Sequence, residues 1–352
     1  MKKQILLLPI LFLLILTGCN TNNSGGNEVE LSGVYVLNEG NFGQANASIT
    51  SFNPETGTVS QDVFQAANGR PIGDLLHSAS LIDEKLFLVV NNSHKIEVVE
   101  PESFISIGTI EIANEASPRY IIKAGENKAY ATNLYTNTVS VISLDNLEEI
   151  GTINVGANPE GISVVGNRAY VANSGFGNGN TVSVINTETD EVLEEIMVGD
   201  NPVSVQSDES GRVWVVCVGK YDDYNTQETD ESTPGKIVVL DGETGNELSV
   251  IETGGKPGDL VINTEAGTGY LSNGTIFEIN TSTYEVVSEN FIGNTFYALG
   301  LSTSADGEIS LWGADAGNYS QDGTVFRFNT SAAKVDSFST GIIPGFFYFE
   351  GN

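Results

Sequence analysis

The sequence predicts an all-β protein, a seven-bladed β-propeller whose first blade is completed by the C-terminal strand. Two observations predict it. A unit of four short β segments recurs along the chain, and the chain both starts and stops part-way through a unit.

The clearest unit begins at Asn158-Pro159-Glu160-Gly161-Ile162 and turns at Gly166-Asn167-Arg168. It continues with Ala169-Tyr170-Val171-Ala172-Asn173, then Thr181-Val182-Ser183-Val184-Ile185, then Val192-Leu193-Glu194-Glu195-Ile196. Val, Ile and Tyr fill the segments, and Gly, Asn, Asp and Thr break them, which is the pattern of strands and turns. The bulky residue opening the second strand recurs as Tyr35, Phe87, Tyr130, Tyr170, Trp214, Tyr270 and Leu311. Those seven positions are spaced by roughly 40 to 56 residues, the period of a four-stranded propeller blade. A β-solenoid, the other repeat architecture weighed, has shorter units and capped ends.

Strand arithmetic closes the ring. Val34-Tyr35-Val36 is a second strand with no first strand before it. Ile342-Ile343-Pro344-Gly345-Phe346-Phe347-Tyr348-Phe349 matches a proline-led first strand with no second strand after it. The two halves make one blade and join edges that would otherwise stay open.

The N-terminus reads as an export signal. Lys2 and Lys3 precede an apolar run from Leu6 to Leu16, which ends in Leu16-Thr17-Gly18-Cys19. A run this short is a signal peptide rather than a membrane span, which needs about 20 apolar residues. The final four residues form a lipobox, so Cys19 is expected to carry lipid and become the mature N-terminus. Residues 1–18 are then signal, 19–31 a polar tether, and 32–352 a single propeller domain. The formal net charge is −31. A body this acidic repels phosphate backbones, which argues against nucleic-acid binding, and repels anionic lipid, so acyl chains must supply the membrane anchor. After Cys19 only Cys217 remains, in an apolar strand, so no internal disulfide forms.

In a blade, the lead-in to the first strand and the loop between second and third strands share one face. The long segments fall there, and they carry Phe42, Tyr135, Phe176, Tyr221, Tyr224 and Tyr319, expected to be exposed. Aromatic rings beside amides suit a large, flat, polar ligand, since rings stack on its faces and amides bond its edges. Asn38, Asn133 and Asn173 recur at one blade position, where bonding of backbone groups at the turn competes with ligand contact. Arg70 and Arg119 precede first strands and are expected near the central funnel. Arg119 would there meet an anionic group of a ligand or one of the chain's many acids. His77 is expected on an inner strand, facing the funnel or held by a structural hydrogen bond. No Ser/His/Asp set, phosphate loop, cofactor motif or metal-spaced histidine pair appears. Asp222-Asp223 and Asp230-Glu231 fit no defined calcium loop. No cofactor is expected. A binding protein is therefore the first reading, with a propeller enzyme of the lactonase or lyase type and a protein-binding scaffold as alternatives.

The Asn133 and Asn173 strand ends, the Thr138-Val139-Ser140-Val141-Ile142 and Thr181–Ile185 segments and the Asn158-Pro159-Glu160-Gly161 opening resemble the YVTN, or YncE-like, seven-bladed propeller family. A narrower similarity runs through Val34-Tyr35-Val36-Leu37-Asn38-Glu39-Gly40-Asn41-Phe42, Ser51–Gly57, Pro118-Arg119-Tyr120 and Pro344-Gly345-Phe346. With the lipobox, it is similar to BtuG-type surface lipoproteins. That resemblance implies a lipid-anchored protein of the outer membrane, displayed at the cell surface. It implies capture of cobalamin or another corrinoid and its transfer to a TonB-dependent transporter. It also directs attention to Tyr120 and Glu160, which stand in the matched motifs.

Overall fold

A computed structural model describes residues 33–221, 229, 231–304 and 307–351. Among these, seven four-stranded antiparallel sheets form, each continuous in sequence except one. The exception orders its strands Pro344–Phe349, Val34–Asn38, Ser48–Asn53 and Thr58–Ser60, so the last strand of the chain is the innermost strand of the first blade. Val34 pairs with Phe349 and Val36 with Phe347. The expected closure is the one observed.

Second strands are buried on both sides because each lies inside its sheet and between two blades. Lys85–Val90, Lys128–Asn133 and Arg168–Asn173 are buried at every position after the first. Such strands read as continuous apolar runs rather than alternation. Outermost strands such as Glu148–Asn154 and Glu191–Met197 are mostly exposed, hence their charge. The core is a ring of seven clusters, each shared by two neighbouring blades. The junction between last and first blades holds Val34, Val36, Phe52, Trp312, Phe338 and Phe347. Six of the seven recurring bulky residues, all but Tyr35, are buried in these clusters.

Asn38, Asn133 and Asn173 each end a second strand and are fully or almost fully buried. Their side-chain amides donate to two hydroxyls of the next strand: Ser48 and Thr50, Thr138 and Ser140, Thr181 and Ser183. This accounts for the hydroxyl residues at alternate positions of those strands. The expectation of backbone partners needs correcting, because hydroxyls take the amide. Only Asn38 also accepts from a backbone N–H, that of Gly341.

One helix was not expected. Val63–Asn68 forms in the lead-in to the second blade. Asp62 caps it by accepting from the Gln65 N–H, Gly69 ends it at φ 66°, and Phe64 is its buried anchor.

Pro118, Asn133 and Thr138 lie side by side in the register. First-strand starts and second-to-third loops therefore share one face, and the tight hairpins such as 166–167 lie on the other.

Candidate functional site

The seven first strands surround a central cavity of about 900 Å³. Its wall divides by height. Towards the long-loop face it is polar, formed by the residues that begin the first strands. Deeper, it is apolar, with Ile162, Val205, Val261, Leu301 and Phe349.

Proline repeatedly sets this position. Pro118 places Arg119, Pro159 places Glu160, and Pro344 places Gly345 at the same height in different blades. A proline at the first residue of an edge strand fixes φ and needs no ladder donor, so the next side chain faces the axis. Arg119 Nε donates to Glu160 Oε2 at 2.6 Å, and both side chains are largely buried. The carboxylate of Glu160 holds the Arg119 pKa above its usual value despite burial.

His77, on the strand Leu76–Ile82, presents Nδ1 to Glu39 Oε1 at 3.7 Å. Its ring meets Tyr120 edge-on, with centroids 4.9 Å apart. Burial, then the charge of Arg119, lowers its pKa, so the ring is neutral. Its Nε2 is buried and has no hydrogen-bond partner.

Tyr297 donates its hydroxyl to Glu39 Oε1 at 3.1 Å. Asp259 Oδ2 accepts from the Leu299 N–H at 2.8 Å. Burial raises the Asp259 pKa to about 6, against the lowering effect of its backbone hydrogen bonds. Burial also raises the Tyr120 pKa; the charge of Arg119 opposes the rise, and those of Glu160, Asp259 and Glu39 add to it.

Around this mouth the long loops expose aromatic rings. Phe42 is 67% exposed, Phe176 56%, and Tyr135 and Tyr319 52% each. Tyr135 and Phe176 stand 6.2 Å apart, on adjacent blades. Tyr297 and Tyr319 meet edge-to-face at 5.7 Å, so one aromatic pair joins the loop face to the channel wall.

The structure thus brings His77, Arg119, Tyr120 and Glu160 together at the mouth, with Phe42, Tyr135, Phe176 and Tyr319 on the face above it. It separates others from them. Arg70 bonds Glu97 at 2.5 Å and Ser106, a residue of an outermost strand, and its guanidinium lies over the Phe64 ring. It belongs to the rim rather than to the funnel, because the unexpected helix carries it outward. Tyr221 is buried rather than exposed: its hydroxyl donates to the Gly255 carbonyl, and Lys256 Nζ sits 3.8 Å from its ring centre. Asn38, Asn133 and Asn173 are committed to the blades. Tyr224, Asp222, Asp223, Asp230 and Cys19 lie outside the described residues. Sequence reasoning passed over Glu39, Asp259 and Tyr297. Asp259 had a signal, since Pro257-Gly258-Asp259 is another proline-led lead-in. Among the described residues, no three His, Cys, Asp or Glu side chains are grouped to hold a metal.

A family model described as a domain of unknown function, DUF5074, matches residues 32–234. Comparison with curated protein sequences gives no match. Among solved structures, a quinonprotein alcohol dehydrogenase-like protein from Bacteroides thetaiotaomicron superposes with a TM-score of 0.67 at 12% identity. The match covers 92% of this chain and 79% of that one. A functionally unknown protein from Desulfotomaculum acetoxidans gives 0.64 at 14% identity, over 90% of this chain and 98% of that one. Hydrazine synthase from Kuenenia stuttgartiensis gives 0.61 at 17% identity, over 78% and 91%. At these identities the likeness is one of fold, and a propeller fold hosts many activities.

Proposed function

The chain belongs to the DUF5074 family, and from that premise we propose that it is a ligand-binding propeller whose long-loop face takes one large, flat, polar molecule. The observation that carries this is the set of four strongly exposed rings, Phe42, Tyr135, Phe176 and Tyr319, around a polar channel mouth. Exposed aromatic groups on one face are costly to solubility and mark binding surfaces. A closed ring of blades is rigid, so little ordering free energy is lost when a ligand docks on it.

The leading candidate is cobalamin or another corrinoid, from the similarity of the Val34–Phe42, Pro118–Tyr120 and Pro344–Phe346 motifs to BtuG-type lipoproteins. In this reading Cys19 is lipidated, the protein is anchored at the outer membrane and displayed at the cell surface, and the ligand passes to a TonB-dependent transporter.

Isothermal titration with cyanocobalamin tests it. Each ring stacked on a ligand contributes about 0.5 to 1.5 kcal/mol beyond area burial. Replacing Phe42, Tyr135 and Phe176 together by Ala is expected to weaken affinity tenfold or more, since about 1.4 kcal/mol is tenfold. Asn167→Ala, on the opposite face, is expected to change nothing. No heat and no thermal shift with any corrinoid removes that ligand class. Turnover of a lactone by the pure protein overturns the reading as a binding protein.

A further inference from the structure

Four of the first strands around the channel share a device. In the strands opened by Leu76, Pro118, Pro159 and Pro202, the register against the second strand slips by one residue just after the opening position. The residues in these bulges are His77, Arg119 with Tyr120, Glu160 with Gly161, and Val203, and all six line the cavity. Successive side chains of a regular strand point to opposite faces, so Arg119 and Tyr120 could not both reach the axis without the extra residue. Bulges re-aim side chains in this way next to binding and active sites.

Arg119 is the only cation on the cavity wall. Its Nε donates to Glu160. Among the described residues its Nη1 and Nη2 make no hydrogen bond, and the side chain keeps 23% of its surface open. The rest of the guanidinium donor fork is therefore offered to the cavity. The Tyr120 hydroxyl beside it is held protonated by burial, so it too can donate. Charge decides what these donors can take. Glu160 already balances Arg119, and Glu39 and Asp259 add negative charge to the same wall. An anion would meet three carboxylates against one guanidinium. A cation would bring donors to groups that need an acceptor. Beyond the mouth the wall is apolar.

We infer that the central channel is a subsite for a neutral carbonyl compound with an apolar stem, such as an amide or a ketone. Its oxygen accepts from the Arg119 guanidinium beside Tyr120, and its stem lies against Ile162, Val205, Val261 and Phe349. A carbonyl oxygen has two lone pairs and no charge, which suits a donor fork whose charge is already balanced. A hydrogen bond from a charged donor is stronger than one between neutral groups. A cavity of about 900 Å³ has the size of small-molecule sites, which are mostly apolar with a few placed polar groups. The channel lies below the exposed rings of the loop face and is probed with a molecule too small to span them. Either reading can therefore fail alone.

The test uses the purified full-length protein and 3-phenylpropionamide as probe. Its counterparts of the same shape are 3-phenylpropionate, an anion, and 3-phenylpropylammonium, a cation. Binding is followed by saturation-transfer NMR titration at neutral pH. The amide is expected to bind saturably, and both charged counterparts more weakly. Acetamide, which lacks the stem, is expected to compete at least about tenfold more weakly than the probe, as loss of a buried ring does. These arms use the unsubstituted protein and need no variant to fold. Arg119→Lys keeps a charge toward Glu160 and removes the fork. It is expected to weaken the amide by about tenfold, as loss of a hydrogen bond from a charged donor does. A thermal melt of the variant checks that it is folded. Carboxylate or ammonium binding as tight as that of the amide overturns the proposal. So does amide binding that folded Arg119→Lys leaves unchanged, which would place the probe elsewhere on the protein. Absence of any saturable amide binding overturns it as well.

Discussion

Arg119 and Glu160 occupy equivalent places in adjacent blades, one residue after a strand-opening proline, and their side chains meet at 2.6 Å. The same repeat position thus carries opposite charges in neighbouring units, and the contact ties the two blades together at the channel mouth. Arg119→Met keeps the length of the side chain and removes the charge. It leaves Glu160, largely buried, without its partner. Removing one partner of a buried pair costs more than the pair contributes. A loss on the order of 1 to 3 kcal/mol is expected in urea unfolding, with the partial exposure of both groups keeping it at the low end for such pairs. An unchanged midpoint would show the pair to be solvent-screened and the blades held by their apolar junction alone.

Closure of the ring yields a second prediction. The strand Pro344–Phe349 is paired along Val34–Asn38 and puts Phe347 into the cluster between last and first blades. Deleting residues 342–352 opens an edge and uncovers Val34, Val36 and Trp312. Losing the burial of two large rings costs on the order of 3 to 6 kcal/mol, comparable with the whole stability of many domains. The truncated protein is expected in the insoluble fraction, or with a much lower melting temperature. Melting at the original temperature would place ring closure elsewhere.

The blades were legible because their signal is repeated. Seven bulky residues at one strand position, and an unmatched half-unit at each end, leave little freedom in the architecture. The channel mouth was half legible. Arg119, Tyr120 and Glu160 stand in proline-led motifs that can be aligned by eye, and His77 has the same place in its blade. Glu39 was hidden because it follows a second strand and reaches the axis only once the C-terminal strand sits beside it. Its backbone N–H then bonds the Ile343 carbonyl, from the far end of the chain. Tyr221 misled for a related reason. Aromatic residues in long loops read as exposed, but Pro257 and Lys256 of the next blade's lead-in cover that loop, and such a contact between blades leaves no local trace. The recurring asparagines were read as turn residues, whereas their amides are taken by Ser and Thr hydroxyls of the adjacent strand.

The anchor is tested in cells. The Leu16-Thr17-Gly18-Cys19 motif motivates it, and Cys19→Ser removes the only thiol there that an acyl chain can modify. Growth with a clickable fatty acid is expected to label the unsubstituted protein and not the variant. Equal label on both would remove lipidation at Cys19.

Asp259 links the channel to stability. Its folded pKa, about 6, lies above the ordinary value of 3.8. The folded state therefore holds its proton more tightly than the unfolded chain, and the ionised form is the costly one. Stability is expected to fall as pH rises from about 4 to about 6, and to remain reduced above that range. Asp259→Asn removes the charge while its amide oxygen can still accept from the Leu299 N–H. At neutral pH the variant is expected to be more stable by on the order of 2 to 3 kcal/mol, from about 1.36 kcal/mol for each unit of the shift. Near pH 4 the two proteins should unfold together. Urea titrations at both values check this. A less stable variant at neutral pH would mean that hydrogen bonds to the carboxylate outweigh its desolvation.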